Sequence, residues 1–254
     1  MTINPMDLSG RRIIVTGASS GIGRETAVLL SKLGAVLVLV ARRAEALEQT
    51  ERMLAGNGHT CIPLDLTDVA QIPAWMKNLA AQGGPFSGLV HSAGIHLTLP
   101  IRATGVEHLE KIMRINVSAA LGLLKGFRQR GVVHPKGGSA VLLSSVVGLV
   151  GQPTLAAYSA SKGALLAMSK SLAMELAQEG IRINCVAPAY VRAGMGDTLA
   201  KLLTPAQLAG LEAQHPLGFG TALDVAYSIA FLLADTGRWI TGSTLVVDGG
   251  YCAH

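Results

Sequence analysis

"RIIVTGASSGIG", residues Arg12–Gly23, decides the architecture. Its first half, "RIIVTG" (Arg12–Gly17), is a short β-branched run that ends at glycine, which reads as a buried strand. Residues Ile22 to Leu33 then show a helical pattern. The turn between them, "TGASSGIG" (Thr16–Gly23), has glycines at 17, 21 and 23. Glycine allows a tight turn and a close approach of ligand to backbone. A helix start offers unpaired N–H groups and the positive end of the helix dipole. A strand, a glycine turn and a helix in this order form a site for a phosphate or a dinucleotide pyrophosphate.

The pattern repeats along the chain. "AVLVLVA" (Ala35–Ala41), "HTCIPLD" (His59–Asp65), "GLVHSAG" (Gly88–Gly94), "SAVLLSS" (Ser139–Ser145), "IRINCVAP" (Ile181–Pro188) and "TLVVDGG" (Thr244–Gly250) read as further strands. Helical stretches separate them, including Ala44 to Ala55. Strands that are apolar on both faces imply a parallel sheet covered on both sides. Right-handed crossovers make it doubly wound: an α/β fold of about seven strands. No linker, low-complexity tract or repeat divides the chain, so residues 1–254 are expected to form one domain. Its least regular stretch, Ala189 to Thr221, is rich in leucine and interrupted by Pro205 and Pro216. A segment of that kind inside a compact domain is expected to be a substrate lid.

Composition narrows the function. Of 254 residues, 50% are hydrophobic and 15% charged, which excludes a disordered chain. The formal net charge is +5, but the basic residues are scattered and aromatics make up only 4%. A nucleic-acid partner is therefore not expected. The longest apolar runs, such as "GAVLVLVA", fall short of the roughly 18–20 residues needed to span a bilayer. The start, "MTINPMDLSGRR", lacks a signal-peptide apolar core. Cys61, Cys185 and Cys252 are far apart, with neither zinc spacing nor a disulfide framework. The expectation is a cytoplasmic protein without metal.

A second chemical signal is "YSASK" (Tyr158–Lys162). On a helix, four residues rise about 6 Å and share a face. A phenol of ordinary pKa about 10 is too weak an acid to ionise near neutrality. A neighbouring ammonium stabilises the phenolate and adapts the phenol to proton transfer.

In order and spacing, "TGASSGIG", "DLTD" (Asp65–Asp68), "SAGI" (Ser92–Ile95), Tyr158-x-x-x-Lys162 and "NCVAPAYVRAGM" (Asn184–Met195) resemble the short-chain dehydrogenase/reductase family, single-domain branch. The likeness runs from about Leu8 to Gly250, and it implies a Rossmann-type sheet and a nicotinamide cofactor. It places the cofactor on Gly17, Ser19, Ser20, Gly21, Ile22 and Gly23. Further contacts are implied at Asp65 and Leu66, at Ser92, Ala93 and Gly94, and at Pro188 and Val191. Tyr158 and Lys162 complete the set, the lysine holding the nicotinamide ribose. The second strand ends in Ala41, Arg42 and Arg43, where an acidic residue would select NAD(H). A guanidinium pairs with a 2′-phosphate, which favours NADP(H) over NAD(H), with Arg42 the first contact and Arg43 the second. A solvated basic start to a helix is the plainer alternative for this pair. Thr67 or Asp68 can also cap a helix.

The resemblance makes Tyr158 the general acid/base and Ser145 the group that orients the substrate oxygen. Ser144 competes with Ser145, since strand alternation lets only one face the site. Asn116 lies on an apolar helical stripe with Ile112, Ala119 and Leu123. It reads either as a structural amide or, by resemblance, as the holder of a water that relays protons to Lys162. The chain departs from the family pattern at Ser92, Ala189 and Ala193, which stand where Asn, Gly and Thr are usual. The implied activity is hydride transfer between NADP(H) and a small carbonyl or secondary alcohol. A non-catalytic NADP(H)-binding or redox-sensing protein on the same fold is the alternative. A homo-oligomer, dimer or homotetramer, is implied through the helices that carry Asn116 and Tyr158. Among the seven histidines none has metal-ligand spacing, and His96 reads as a loop or rim residue that could line the pocket.

Overall fold

The computed structural model describes residues 4–253; Met1–Ile3, part of the N-terminal reading, and His254 lie outside them. Seven parallel strands form one sheet: β1 (Arg12–Thr16), β2 (Val36–Ala41), β3 (Thr60–Pro63), β4 (Gly88–His91), β5 (Gly138–Leu143), β6 (Ile181–Pro188) and β7 (Thr244–Val247). Their order across the sheet is β3-β2-β1-β4-β5-β6-β7. The direction of winding reverses between β1 and β4, which pair in register from Ile13↔Gly88 to Thr16↔His91. At such a switch point the two connections leave to opposite faces and open a crevice beyond the carboxyl ends of the strands.

Helices cover both faces. α1 (Gly21–Lys32), α2 (Ala44–Glu51) and α3 (Ile72–Gly83) follow the first three strands. α4 (Val106–Met113) and α5 (Ala119–Phe127) flank a π-turn, Arg114–Ser118. α6 (Ala156–Leu176), α7 (Met195–Ala200), α8 (Pro205–Ala213) and α9 (Ala222–Leu233) complete the order. Alternate strand residues enter different cores. Ile14, Val38 and Val40 pack with Leu123 and Leu165 on the α3, α5 and α6 side. Ile13, Val15, Leu37 and Leu39 pack with Leu30 and Ile229 on the α1 and α9 side. Each fully buried leucine or isoleucine contributes about 1.5–3 kcal/mol, so both layers are held by strands that read as continuous apolar runs.

The strands stop earlier than their apolar runs. β4 ends at His91 and β5 at Leu143, so that Ser92–Gly94 and Ser144–Ser145 leave the ladder. α2 ends at Glu51 rather than Ala55. The lid segment is more regular than its prolines imply. Pro205 occupies the first turn of α8, where its missing N–H costs nothing, and Thr204 caps that helix against Gln207. Among the described residues no helix is long and apolar enough to cross a membrane. No group of three or more His, Cys, Asp or Glu among them is placed to hold a metal.

Candidate active site

A cavity of about 880 Å³ opens beyond the carboxyl ends of the central strands. Its floor is the β1–α1 turn. Gly17 has φ +68°, and a Cβ there would lie 2.7 Å from the backbone nitrogen of Ala93. A Cβ on Gly23 would run into the Gly17 carbonyl. Only glycine lets the turn close against the β4 turn and the helix start close against the turn. Ser19, Ser20, Ile22 and Gly23 line the cavity. Gly21 is not on the cavity wall; its α-carbon faces Gly194 of the lid. The first turn of α1 has no side-chain cap bond at Ser20 and no acidic residue. Its N–H groups remain available to an anion, and the cradle fits a dinucleotide pyrophosphate.

Arg42 and Arg43 line the same cavity at the end of β2. Asp65 and Leu66 face it from the end of β3. The Asp65 carboxylate accepts a bond from the Thr67 backbone N–H at 3.0 Å. That bond is the main reason its pKa lies below the usual carboxylate value, with the Thr67 hydroxyl and the charge of Arg42 adding to it. Neither Thr67 nor Asp68 caps a helix: α3 begins at Ile72 behind Gln71, and the segment is an Asx turn instead.

Tyr158 and Lys162 stand one turn apart near the start of α6, both on the cavity wall. The Lys162 ammonium lies 5.6 Å from the centre of the Tyr158 ring and donates to the Leu143 carbonyl at 2.7 Å. Burial lowers the Lys162 pKa to about 8, opposed weakly by Cys185. Burial also pushes the Tyr158 phenol up to about 12, with a hydrogen bond to Ser145 pulling the other way. The acidifying influence read from the Tyr-x-x-x-Lys spacing therefore does not set the phenol in the protein alone. Desolvation of a phenolate outweighs an ammonium that rests over the ring face.

Strand alternation separates the two serines. Ser144 is buried and donates to the Lys162 carbonyl at 2.9 Å. Ser145 donates to the Pro188 carbonyl at 3.3 Å and reaches the Tyr158 hydroxyl. Pro188 and Val191 also line the cavity. Asn116 is fully buried within the π-turn, behind Ile115, which takes its place on the wall. Both hydrogens of its amide are committed, to the Ile95 carbonyl at 3.1 Å and to the Ser161 hydroxyl at 3.0 Å. Its Oδ1 accepts from the Ile95 N–H at 2.8 Å. Only second lone pairs on its two oxygens remain for a water.

Ser92, Ala93 and Gly94 line the cavity as expected from their turn. The support that the usual asparagine would give comes from elsewhere, because the Thr16 hydroxyl accepts from the Ala93 N–H at 3.2 Å. The far end of the cavity is where the loop after β4 and the leucine-rich lid meet. His96 lines it, with its ring edge-on to Tyr158 and the centroids 4.7 Å apart. Leu199, Leu203 and Leu211 of the lid line it as well. The Tyr251 hydroxyl meets the Gln152 side chain at 3.1 Å, so the C-terminal tail touches the loop before α6.

A family model described as enoyl-(acyl carrier protein) reductase matches residues 17–252. The chain belongs to the short-chain dehydrogenase/reductase family. It is 35% identical over 246 residues to the 3-oxoacyl-[acyl-carrier-protein] reductase FabG of Escherichia coli (strain K12), covering 96% of this chain and 98% of that protein. A short-chain type dehydrogenase/reductase from Mycobacterium marinum superposes with a TM-score of 0.90 at 29% identity, over 98% of each chain. A protein from Agrobacterium tumefaciens, provisionally named a 2-deoxy-d-gluconate 3-dehydrogenase and holding NADP, superposes at 0.88 with 28% identity, over 99% of this chain and 100% of its own. This short-chain dehydrogenase/reductase is thus an oxidoreductase with the family's seven-stranded sheet.

Proposed function

We propose that the protein is an NADP(H)-dependent oxidoreductase that interconverts a carbonyl and a secondary alcohol, with Tyr158 as general acid/base. One observation carries this reading: Ser145, Tyr158 and Lys162 converge on the cavity whose other end is the glycine cradle. The hydride is supplied or taken up by the bound nicotinamide. Arg42 and Arg43 would hold the 2′-phosphate, and the α1 N-terminus the pyrophosphate. Lys162 would bond the ribose hydroxyls. Ser145 holds the substrate oxygen and stabilises the charge that develops there. Tyr158 gives that oxygen its proton in reduction and withdraws it in oxidation. The residual lone pairs of Asn116 support a water through which Lys162 and Tyr158 exchange protons with solvent.

The substrate end carries no fixed charge. Among the lining residues, the ionised side chains are Arg42, Arg43 and Asp65 at the adenosine end and Lys162 beneath the site. With Leu199, Leu203 and Leu211 also on the wall, this favours an uncharged carbonyl compound with an apolar portion over a sugar acid. The test is NADPH oxidation over ketones, 3-oxoacyl thioesters and keto-acids, alongside Tyr158→Phe. Turnover of neutral ketones that vanishes in Y158F supports the reading. NADPH binding with no turnover of any carbonyl instead identifies a cofactor-binding sensor.

We also assign the protein to the cytoplasm and to a homo-oligomer, dimer or tetramer. Leu109 on α4, Leu121 on α5 and Met174 on α6 are exposed apolar side chains on the helices concerned. Light scattering of the wild type and of L121E checks the assembly; a monomer at all concentrations would refute it.

A further inference from the structure

His91 is a titratable side chain that the proposed chemistry does not use, and it is 1% exposed. It ends β4, between the glycine turn and the π-turn. One ring nitrogen, Nδ1, lies 3.0 Å from the Thr16 hydroxyl oxygen. The other, Nε2, lies 3.3 Å from the Asn116 backbone carbonyl. A carbonyl only accepts, so Nε2 carries the hydrogen. In a neutral ring Nδ1 then holds a lone pair, so the Thr16 hydroxyl donates to it. The Thr16 oxygen is left free to accept the Ala93 N–H, at 3.2 Å. Burial, and next the charge of Lys162, push the His91 pKa down to about 4, so the ring is neutral across the working pH range. The direction of every bond in the chain is thereby fixed: Ala93 to Thr16, Thr16 to His91, His91 to Asn116.

We propose that His91 is a positioning residue for proton transfer: it clamps the Asn116 carbonyl beside Lys162 and locks the cofactor turn to the same point. The π-turn makes such a clamp necessary. There the Ala119 N–H bonds the Arg114 carbonyl five residues back, and a widened turn of this kind disturbs the usual pairing of the carbonyls within it. His91 holds the Asn116 carbonyl from the side. Asn116 in turn holds Ile95 by two bonds and Ser161 by one, and Ser161 donates to the Tyr158 carbonyl at 2.7 Å. A continuous buried chain therefore runs from the glycine turn to the catalytic helix. The titratable groups around Lys162 are His91 on β4, His96 after it, Tyr158 on its own helix and Cys185 on β6. Without the imidazole, the Asn116 carbonyl would be left to Lys162, the buried cation whose charge reaches His91. Its ammonium would be stabilised and drawn off the ribose and phenol.

The inference rests on the oxidoreductase reading, and its test separates the two. His91→Leu keeps bulk without hydrogen bonds; His91→Asn and His91→Gln keep a donor and an acceptor. H91L is expected to lower kcat at least about tenfold, to raise the KM for NADPH as Lys162 leaves the ribose, and to move the basic limb of the pH–rate profile upward. One of the amide variants is expected to restore most of the rate and the wild-type limb. Wild-type kcat and pH profile in H91L, with only a lower Tm, overturn the proposal. Nitrogen NMR of the wild-type imidazole adds a readout that needs no variant. It should show the Nε2–H tautomer persisting to about pH 5, and an Nδ1–H tautomer overturns the clamp. A wild type without turnover on any carbonyl defeats the oxidoreductase reading itself, a result distinct from a silent H91L.

Discussion

The Ser144 hydroxyl and the Lys162 backbone carbonyl are joined at 2.9 Å, which ties the end of β5 to the turn of α6 that carries Tyr158 and Lys162. Its neighbour Ser145 points the other way, toward Tyr158 and Pro188. The two serines therefore have separable consequences. Under the proposed mechanism, Ser145→Ala removes the group that stabilises charge on the substrate oxygen and should lower kcat by about 10²–10³-fold, with little change in Tm. Ser144→Ala removes a buried bond to a carbonyl that α6 already pairs and should cost about 0.5–1.5 kcal/mol of stability. Steady-state kinetics and thermal melts of the two variants read this out. Equal kinetic losses would contradict the division of labour.

Cofactor choice is expected to rest on Arg42. A charge-assisted bond from guanidinium to phosphate is worth about 1.5–3 kcal/mol, or about ten- to a hundredfold in an equilibrium. Arg42→Glu should lower kcat/KM for NADPH by that factor and leave kcat/KM for NADH unchanged or improved. Arg43→Glu should have the smaller effect. If R42E leaves the NADPH to NADH ratio unchanged, the two arginines are only the solvated start of α2.

How far the sequence reveals this molecule depends on the reach of each contact. The five inner strands are legible because each is a run such as Leu37–Val40, buried on both faces, whereas the short outer strands β3 and β7 are partly exposed and read as strands mainly from their place in the alternating pattern. Their ends are not, because a strand stops where it turns to line the crevice, and Ser144 leaves β5 for a partner 18 residues away. Tyr158, Lys162 and Ser145 are found through spacing and resemblance. The clamp at His91 has no local signature, since Thr16 and Asn116 are distant in the chain and meet only through the fold. The start of α8 was legible in principle. Thr204 and Gln207 form a capping box around Pro205, a residue that reads as an interruption when the box is overlooked.

His91 also sets an acid limit on stability. Its pKa is about 4 in the folded protein against 6.5 for an ordinary histidine. Between those values the unfolded chain binds a proton that the native state refuses. Stability is therefore full above about pH 6.5 and falls as the pH drops toward 4, by at most about 1.4 kcal/mol per unit from this group. Burial lowers the His96 pKa too and acts with the same sign. Carboxylates such as Asp65 and Asp224, with pKa values held below 3.8, take effect at lower pH. Denaturant titrations from pH 7 to 4 should show a shallower fall in His91→Asn than in the wild type. Parallel curves would mean that His91 takes up its proton in the native state.

The last prediction concerns the wall that His96 forms against Tyr158. The edge-on contact, with centroids 4.7 Å apart, shields one side of the phenol. Burial is what raises the Tyr158 pKa to about 12, so an opening on that side should lower it. His96→Ala admits water to the phenolate and should move its titration down toward the ordinary value of about 10. His96→Phe keeps the shield and should leave it in place. Ultraviolet titration of tyrosinate, corrected with the Tyr158→Phe protein, measures the shift directly. Both variants should also raise the KM of the carbonyl substrate, because each removes a polar edge from the pocket. The KM of NADPH should not move, since the cradle at Gly17 and Gly23 lies at the cavity's other end. A Tyr158 titration identical in H96A and the wild type would place the source of desolvation in the protein beneath the ring rather than in this histidine.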